Sequence, residues 1–130
     1  MKLSTVFTIN YVVAFLFGMA FVVLPAFSLS LMGLDSLGQA PLLARGWGVF
    51  ILGVFVLTLF ARDVQRSEGR KAIVISLFAL YLLLDLYKLS LNLLYDVSTN
   101  WMFVLLYLIH TGFLVIYGYF LFGAPRELDA

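Results

Sequence analysis

Cysteine is absent from this chain of 130 residues, and charged residues make up only 12% of it. Without thiols the chain has no structural disulfide, no dithiol redox relay and no thiolate metal site. It has one histidine, His110, and therefore lacks the paired histidines that four-helix haem carriers need. We expect no cofactor and no bound metal. The net charge of +1, without an extended basic face, also argues against a nucleic-acid partner.

Hydrophobic residues, in contrast, make up 64% of the chain. Ordinary soluble domains are about 45–50% apolar and about 25% charged. A short soluble chain cannot bury that much apolar surface, because small domains bury a limited fraction of their area. Lipid as the solvent removes this difficulty, so we interpret residues 1–130 as a single membrane domain in contact with the bilayer.

Four apolar segments are long enough to cross a bilayer, which takes about 20 residues of helix. The predicted spans are residues 5–29, 42–61, 71–94 and 101–122. The first is too long for the core of a secretory signal, which has about 7–15 residues. Alternating strand patterns are absent, and an open sheet edge cannot be satisfied in hydrocarbon. Short connections favour an all-α polytopic membrane protein, an antiparallel four-transmembrane-helix bundle.

Two parts of the sequence carry signals for helix ends, one inside the first span and one before the fourth. Pro25 predicts a kink or a helix end inside the first apolar segment. The turn before the fourth span offers Ser98, Thr99 or Asn100 as a helix N-cap.

The loop at residues 62–71 determines the predicted orientation. Its basic residues are Arg62, Arg66, Arg70 and Lys71. Basic loops stay on the cytoplasmic side, and with four spans both termini lie on the side of this loop. We therefore predict a multi-pass protein of the bacterial inner membrane, with both termini and loop 62–71 cytoplasmic. The loop either sets this topology alone or is also a docking patch for anionic lipid or a partner.

The stretch "YLLLDLYKLSLNLLYD" places polar residues inside the third span. Tyr81, Asp85, Lys88 and Asn92 step by four, three and four, so they share one helix face. A charged group at membrane depth costs roughly 2.5–3.5 kcal/mol on insertion scales. Asp85, about 13 Å deep at 1.5 Å per residue, should therefore face other helices and be partly neutralised by Lys88.

Two other spans carry ionisable residues at a similar depth. His110 lies nine positions into the fourth span, and Arg45 lies near the outer end of the second. We predict that both join Asp85, Lys88 and Asn92 in a polar cluster in the outer half of the membrane. The cluster is either a structural network or a site for a ligand, an ion or a proton.

Small residues spaced four apart let helix backbones approach closely. Two such pairs occur, Ala14 with Gly18 and Ala44 with Gly48. Packing within the chain is the favoured interpretation, and contact between copies is the alternative. Gly46 and Gly53 should add to close packing of the second span.

The segment from "LPAFSLSLMGLD" to "PLLARGWGVFILGVFVLTLFARD" resembles small bacterial four-helix integral membrane proteins, which are mostly grouped as domains of unknown function. The matching residues are Gly33, Leu34, Asp35, Ala44, Arg45, Gly46, Leu52, Gly53, Ala61 and Arg62. The resemblance implies a four-helix membrane fold and no particular activity.

The sequence contains no recognisable catalytic set, so we expect the protein not to be an enzyme. The first hypothesis is an accessory or scaffold subunit that contacts itself or a larger membrane complex through its helices. The alternative is binding or transport of a small molecule, an ion or a proton by the polar cluster, open to the outer side.

Overall fold

The computed structural model describes residues 2–34, 36–64, 68–95 and 100–123, without the side chains at positions 91, 94 and 95. Helices are the only regular secondary structure in these residues. They are α1 (Leu3–Val23), α2 (Pro25–Leu31), α3 (Ala40–Asp63), α4 (Glu68–Tyr95), α5 (Trp101–Gly118) and a π-helical segment (Tyr119–Gly123). Asp35, Arg66, Ser98 and Thr99, which entered the predictions above, lie outside the described residues.

Four of the helices are long and apolar enough to cross a membrane. They are Leu3–Val23, Ala40–Asp63, Glu68–Ser90 and Trp101–Gly123, with mean hydropathies between 1.9 and 2.2. Large apolar side chains on them are exposed, for example Leu42 at 65%, Phe60 at 68% and Leu83 at 64%. Exposed apolar surface on this scale matches hydrocarbon and not water. The predicted fold class, an all-α multi-pass membrane protein, is confirmed.

The chain divides into two compact units, Met1–Asp63 and Val64–Ala130. In the first unit α1 and α3 form an antiparallel hairpin, joined through α2. In the second unit α4 pairs with α5, again antiparallel. Each hairpin connects helices that are neighbours in sequence, as short connections between spans predict.

The first predicted span is two helices, because the chain breaks at Leu24. A residue that precedes proline is disfavoured in helical conformation, and Leu24 has φ −124° and ψ 56°. Pro25 then begins α2, where its missing N–H costs nothing. The predicted kink or helix end at Pro25 is thus a helix end followed by a new helix.

The end of α2 is a Schellman motif. Gly33 has φ +71°, a left-handed conformation that glycine adopts without steric cost. The Leu34 N–H donates to the Leu29 carbonyl and the Gly33 N–H donates to the Ser30 carbonyl, both at 3.0 Å. These bonds satisfy carbonyls that the end of the helix would leave without partners.

The close contact between α1 and α3 is made by glycines. A Cβ atom placed on Gly48 would lie 2.9 Å from the Gly18 carbonyl oxygen and 2.9 Å from the Phe21 Cβ. Ala14 and Ala44, the other small residues predicted to pack helices, are also buried. The small residues therefore lie where the two backbones approach one another inside the first unit.

Gly46 and Gly53, in contrast, do not contribute to this packing. A Cβ at either position would meet no atom of the first unit within 4 Å. The expectation that they add to close packing is therefore wrong for the contact between α1 and α3. Helix geometry explains this, because they lie on a different face of α3 from Ala44 and Gly48.

Gly48→Ala should destabilise the first unit by roughly 1–3 kcal/mol, because the new methyl group meets backbone and Cβ atoms that cannot move aside. Gly46→Ala is the matched control, since its methyl group enters open space. Thermal unfolding in detergent, followed by the fluorescence of Trp47 in a Trp101→Phe background, measures both. Equal melting temperatures for the two variants would contradict the close contact.

Candidate functional site

The polar stripe of α4 is buried. Tyr81, Asp85 and Lys88 retain only 5%, 8% and 7% of their surface, and Asn92 is half-buried at the C-terminal end of the stripe. Each residue is one helical turn from the next, so the 3.6-residue repeat aligns their side chains. Because the charged pair is buried, its partners within the second unit decide its chemistry.

Lys88 finds a partner for each of its three N–H donors. Its Nζ lies 3.4 Å from Asp85 Oδ1 and 3.3 Å from the backbone carbonyl of Leu106. It also makes a short hydrogen bond to His110 Nδ1. The last two partners belong to α5, so Lys88 connects the two helices of the hairpin. The amine stays buried without an unsatisfied donor.

Both carboxylate oxygens of Asp85 also have partners. Oδ1 accepts from Lys88, and Oδ2 accepts from the Thr111 hydroxyl at 2.8 Å. Since Thr111 lies on α5, Asp85 is a second polar connection across the hairpin. A buried charge is tolerated when an opposite charge and hydrogen bonds surround it, and Asp85 has both.

The bond to Lys88 relates the tautomer of His110 to the charge of the lysine. When Lys88 is an ammonium, which has only donors, Nδ1 of His110 accepts and the ring proton lies on Nε2. A doubly protonated imidazole would place a donor against the ammonium group. Neutral His110 and the Asp85–Lys88 ion pair together give the cluster zero net charge, which suits burial in hydrocarbon.

Aromatic rings surround these polar groups. Lys88 Nζ lies 5.4 Å from the centre of the Tyr107 ring, within the range of a cation–π interaction. Toward the N-terminal end of α4, the Tyr81 ring lies 5.5 Å from the imidazole of His110 and stacks at 5.4 Å on Phe113. Tyr117 continues this stack, 6.0 Å from Tyr81. These rings cover that side of the cluster.

The predicted cluster is thus assembled in part within the second unit. Asp85, Lys88 and His110 are in contact. Asn92 lies one turn beyond Lys88 on α4, and its Oδ1 is buried without a hydrogen-bond partner among the described residues. Arg45 lies near the start of α3 in the first unit, and its side chain is exposed. That Arg45 joins the cluster stays a prediction.

Thr111 is the member of the site that the sequence analysis missed. On the other spans only ionisable residues were considered as members of the cluster, so Thr111 was left out although it follows His110 directly. It is the only serine or threonine between positions 101 and 123. In an antiparallel hairpin, a residue farther from the connection on α4 faces a residue farther from the connection on α5. Asp85 is farther from the connection than Lys88, so it should face a position beyond His110.

The beginning of α5 places these residues in register. Asn100 is the N-cap, and its Oδ1 accepts hydrogen bonds from the backbone N–H groups of Met102 and Phe103 at 2.9 and 3.2 Å. Of the three candidate caps, Asn100 is therefore used. A fixed helix start determines which turns of α5 carry His110 and Thr111.

Comparison with known protein families, with characterised proteins and with solved structures finds no match. The interpretation of the site therefore rests on its own geometry. This geometry is that of a neutral, hydrogen-bonded polar connection between two membrane-spanning helices.

Removing one charge of the pair should cost more than removing both. Asp85→Leu or Lys88→Met alone leaves an uncompensated buried charge, which costs about 3–5 kcal/mol. The double variant should recover most of this loss. Unfolding of detergent-solubilised protein by increasing mole fractions of dodecyl sulfate measures the cycle. Ser90→Ala, on the exposed side of α4, is the control, and additive effects of the two substitutions would contradict the buried pair.

Proposed function

We propose that this protein is a non-enzymatic accessory or scaffold subunit that contacts itself or a larger membrane complex through its helix faces. The proposal is consistent with the small bacterial four-helix membrane proteins that the sequence resembles. The observation that carries it is an open face on α3, which is defined by Gly46 and Gly53. An exposed apolar face on a membrane-spanning helix, with glycines among its side chains, is the kind of surface that a second helix packs against.

The geometry of α3 supports this assignment. Gly46 and Gly53 are seven residues apart, so they lie on the same side of the helix. Ala44 and Gly48 are buried, whereas both glycines of the open face are exposed. Within the first unit, α3 thus has an exposed face opposite its intrachain contact. On this face the apolar side chains of Val49 and Phe50 lie between the two glycines.

The polar cluster supports a structural role for the second unit. Lys88 uses all its donors and Asp85 uses both oxygens on groups of the same hairpin. Their hydrogen bonds therefore need no ligand to explain them. Polar contacts of this kind hold helices in register, and a rigid hairpin presents its outer faces in a fixed geometry to a partner.

For localisation we propose the bacterial inner membrane, with both termini and loop 62–71 in the cytoplasm. The support is the excess of arginine and lysine in that loop, because basic loops are retained on the cytoplasmic side. The turn between α2 and α3 would then face the opposite side of the membrane.

Enlarging the open face should release the partner without unfolding the protein. Gly46→Leu combined with Gly53→Leu places side chains in open space, so the free energy of unfolding should change by less than about 0.5 kcal/mol. Cross-linking in native membranes, followed by purification in a mild detergent, should recover an oligomer or complex with the wild type and not with the variant. Gly112→Leu, another open glycine on α5, is the matched control. A wild-type protein that is monomeric and without partners would contradict the proposal.

The second candidate function is binding or transport of a small molecule, an ion or a proton by the polar cluster. Asn92 favours it, because its buried Oδ1 has no described hydrogen-bond donor one turn outward from Lys88. An unsatisfied buried acceptor costs about 1–3 kcal/mol, and a donor supplied by a ligand would remove that cost.

Proton flux into liposomes, measured with an entrapped pH-sensitive dye, tests this second candidate. If the cluster carries protons, wild-type protein raises the flux above that of empty liposomes and Asp85→Asn abolishes it. Asn92→Leu should then lose flux while gaining about 1–3 kcal/mol of stability, because the unsatisfied acceptor is removed. Ser90→Ala is again the control. Flux equal to that of empty liposomes, with Asp85→Asn lowering only thermal stability, would leave the cluster a structural network.

A further inference from the structure

One end of the first unit carries an open polar depression that has no part in the polar cluster. It has a volume of about 360 Å³ and is lined by Ser4, Thr5, Thr8, Arg62 and Asp63. This exceeds the roughly 10–15 Å³ that one ordered water needs. The depression lies where α1 begins and α3 ends, at the boundary between the apolar hairpin and water.

The depression contains one cation and one anion side by side. Arg62 Nε and Nη2 donate to the two carboxylate oxygens of Asp63 at 3.0 and 3.1 Å. The guanidinium also lies over the Tyr11 ring, with its carbon 5.8 Å from the ring centre. The carboxylate and the ring thus hold the arginine from two sides, and its position is more restricted than that of a free surface arginine.

Both charged groups keep hydrogen-bonding capacity for a ligand. A guanidinium has five N–H donors and the carboxylate uses two of them, while each carboxylate oxygen accepts more than one hydrogen bond. The side chain of Asp63 is 71% exposed and that of Arg62 is 38% exposed. The side chains of Ser4, Thr5 and Thr8 line the same depression. The hydroxyl groups of Ser4 and Thr5 can donate to an anion, whereas that of Thr8 donates to the Ser4 carbonyl at 2.9 Å.

We propose that this depression binds the headgroup of a zwitterionic phospholipid that carries a primary ammonium, as in phosphatidylethanolamine. The phosphate accepts hydrogen bonds from Arg62 and from the hydroxyl groups at the start of α1. The ammonium group donates to Asp63. The acyl chains lie along the exposed apolar surface of the first unit, next to Val12, Phe15 and Leu16.

The pairing of charges selects this class of headgroup over others. A purely anionic lipid would meet the carboxylate of Asp63 as well as Arg62, and like charges repel. A quaternary ammonium has no N–H group, so a choline headgroup cannot donate to Asp63. Only a headgroup with both a phosphate and an N–H donor uses both members of the ion pair.

Lipid retention measured by native mass spectrometry tests this proposal. Wild-type protein is delipidated, mixed with equal amounts of phosphatidylethanolamine, phosphatidylcholine and phosphatidylglycerol of identical acyl chains, and released from detergent. We expect about tenfold preference for the ethanolamine lipid over the other two, corresponding to one factor of ten in the dissociation constant. Equal retention of the three lipids by the wild type would overturn the proposal.

Two variants and a control separate the parts of the site. Asp63→Asn should abolish the preference for the ethanolamine lipid over the choline lipid. Arg62→Gln should lower the retention of both of these lipids. Glu68→Gln removes another exposed carboxylate outside the depression and should leave the preference unchanged. An unchanged preference in both Asp63→Asn and Arg62→Gln would show that the lipid binds elsewhere.

A soluble competitor identifies the source of the headgroup. Glycerophosphoethanolamine in millimolar excess should fail to displace the lipid, because it lacks the acyl chains that contact the helices. Complete displacement by the soluble compound would assign the depression to a free phosphoethanolamine ester and overturn the lipid assignment.

Discussion

Hydrocarbon offers no hydrogen-bonding partner to a protein, and every other feature of this chain depends on that constraint. It makes helices the form in which the backbone satisfies itself, and it requires each polar side chain at depth to find a partner within the protein. Lys88 shows how complete this satisfaction can be, since its three donors meet a carboxylate, a backbone carbonyl and an imidazole nitrogen. Where the chain leaves hydrocarbon, at Arg62 and Asp63, an ion pair remains exposed.

The two hairpins use different means to hold their helices together. In the first unit the contact is steric, because Gly18 and Gly48 remove side chains from the crossing and let backbone atoms touch. In the second unit the contact is polar, between Asp85 and Thr111 and between Lys88 and His110. Directional hydrogen bonds between buried polar groups can fix the register of two helices.

Much of this was predictable from the sequence, and the remainder depended on geometry. The length and hydropathy of the apolar segments were sufficient to predict four membrane-spanning helices. The spacing of Asp85 and Lys88 was sufficient to predict that they share one buried helix face. Thr111 was not predicted as part of the site because its hydroxyl carries no charge. Its contact with Asp85 follows only from the register of the two helices. Gly46 was assigned to packing by residue type, although its spacing from Ala44 and Gly48 already places it on a different face of the helix. The role of Arg45 depends on the placement of its side chain, which spacing along the chain does not determine.

Both hairpins are closed by contacts between residues that are near in sequence. Lys88 and His110 are separated by 22 positions, and Asp85 and Thr111 by 26. Contacts of low sequence separation form quickly, and chains begin to fold while they are synthesised. On the ribosome, the first hairpin is therefore complete in sequence before the second begins to emerge. Lys88 follows Asp85 within one helical turn, so the neutralising charge is synthesised almost at once, whereas Thr111 comes only with the next helix.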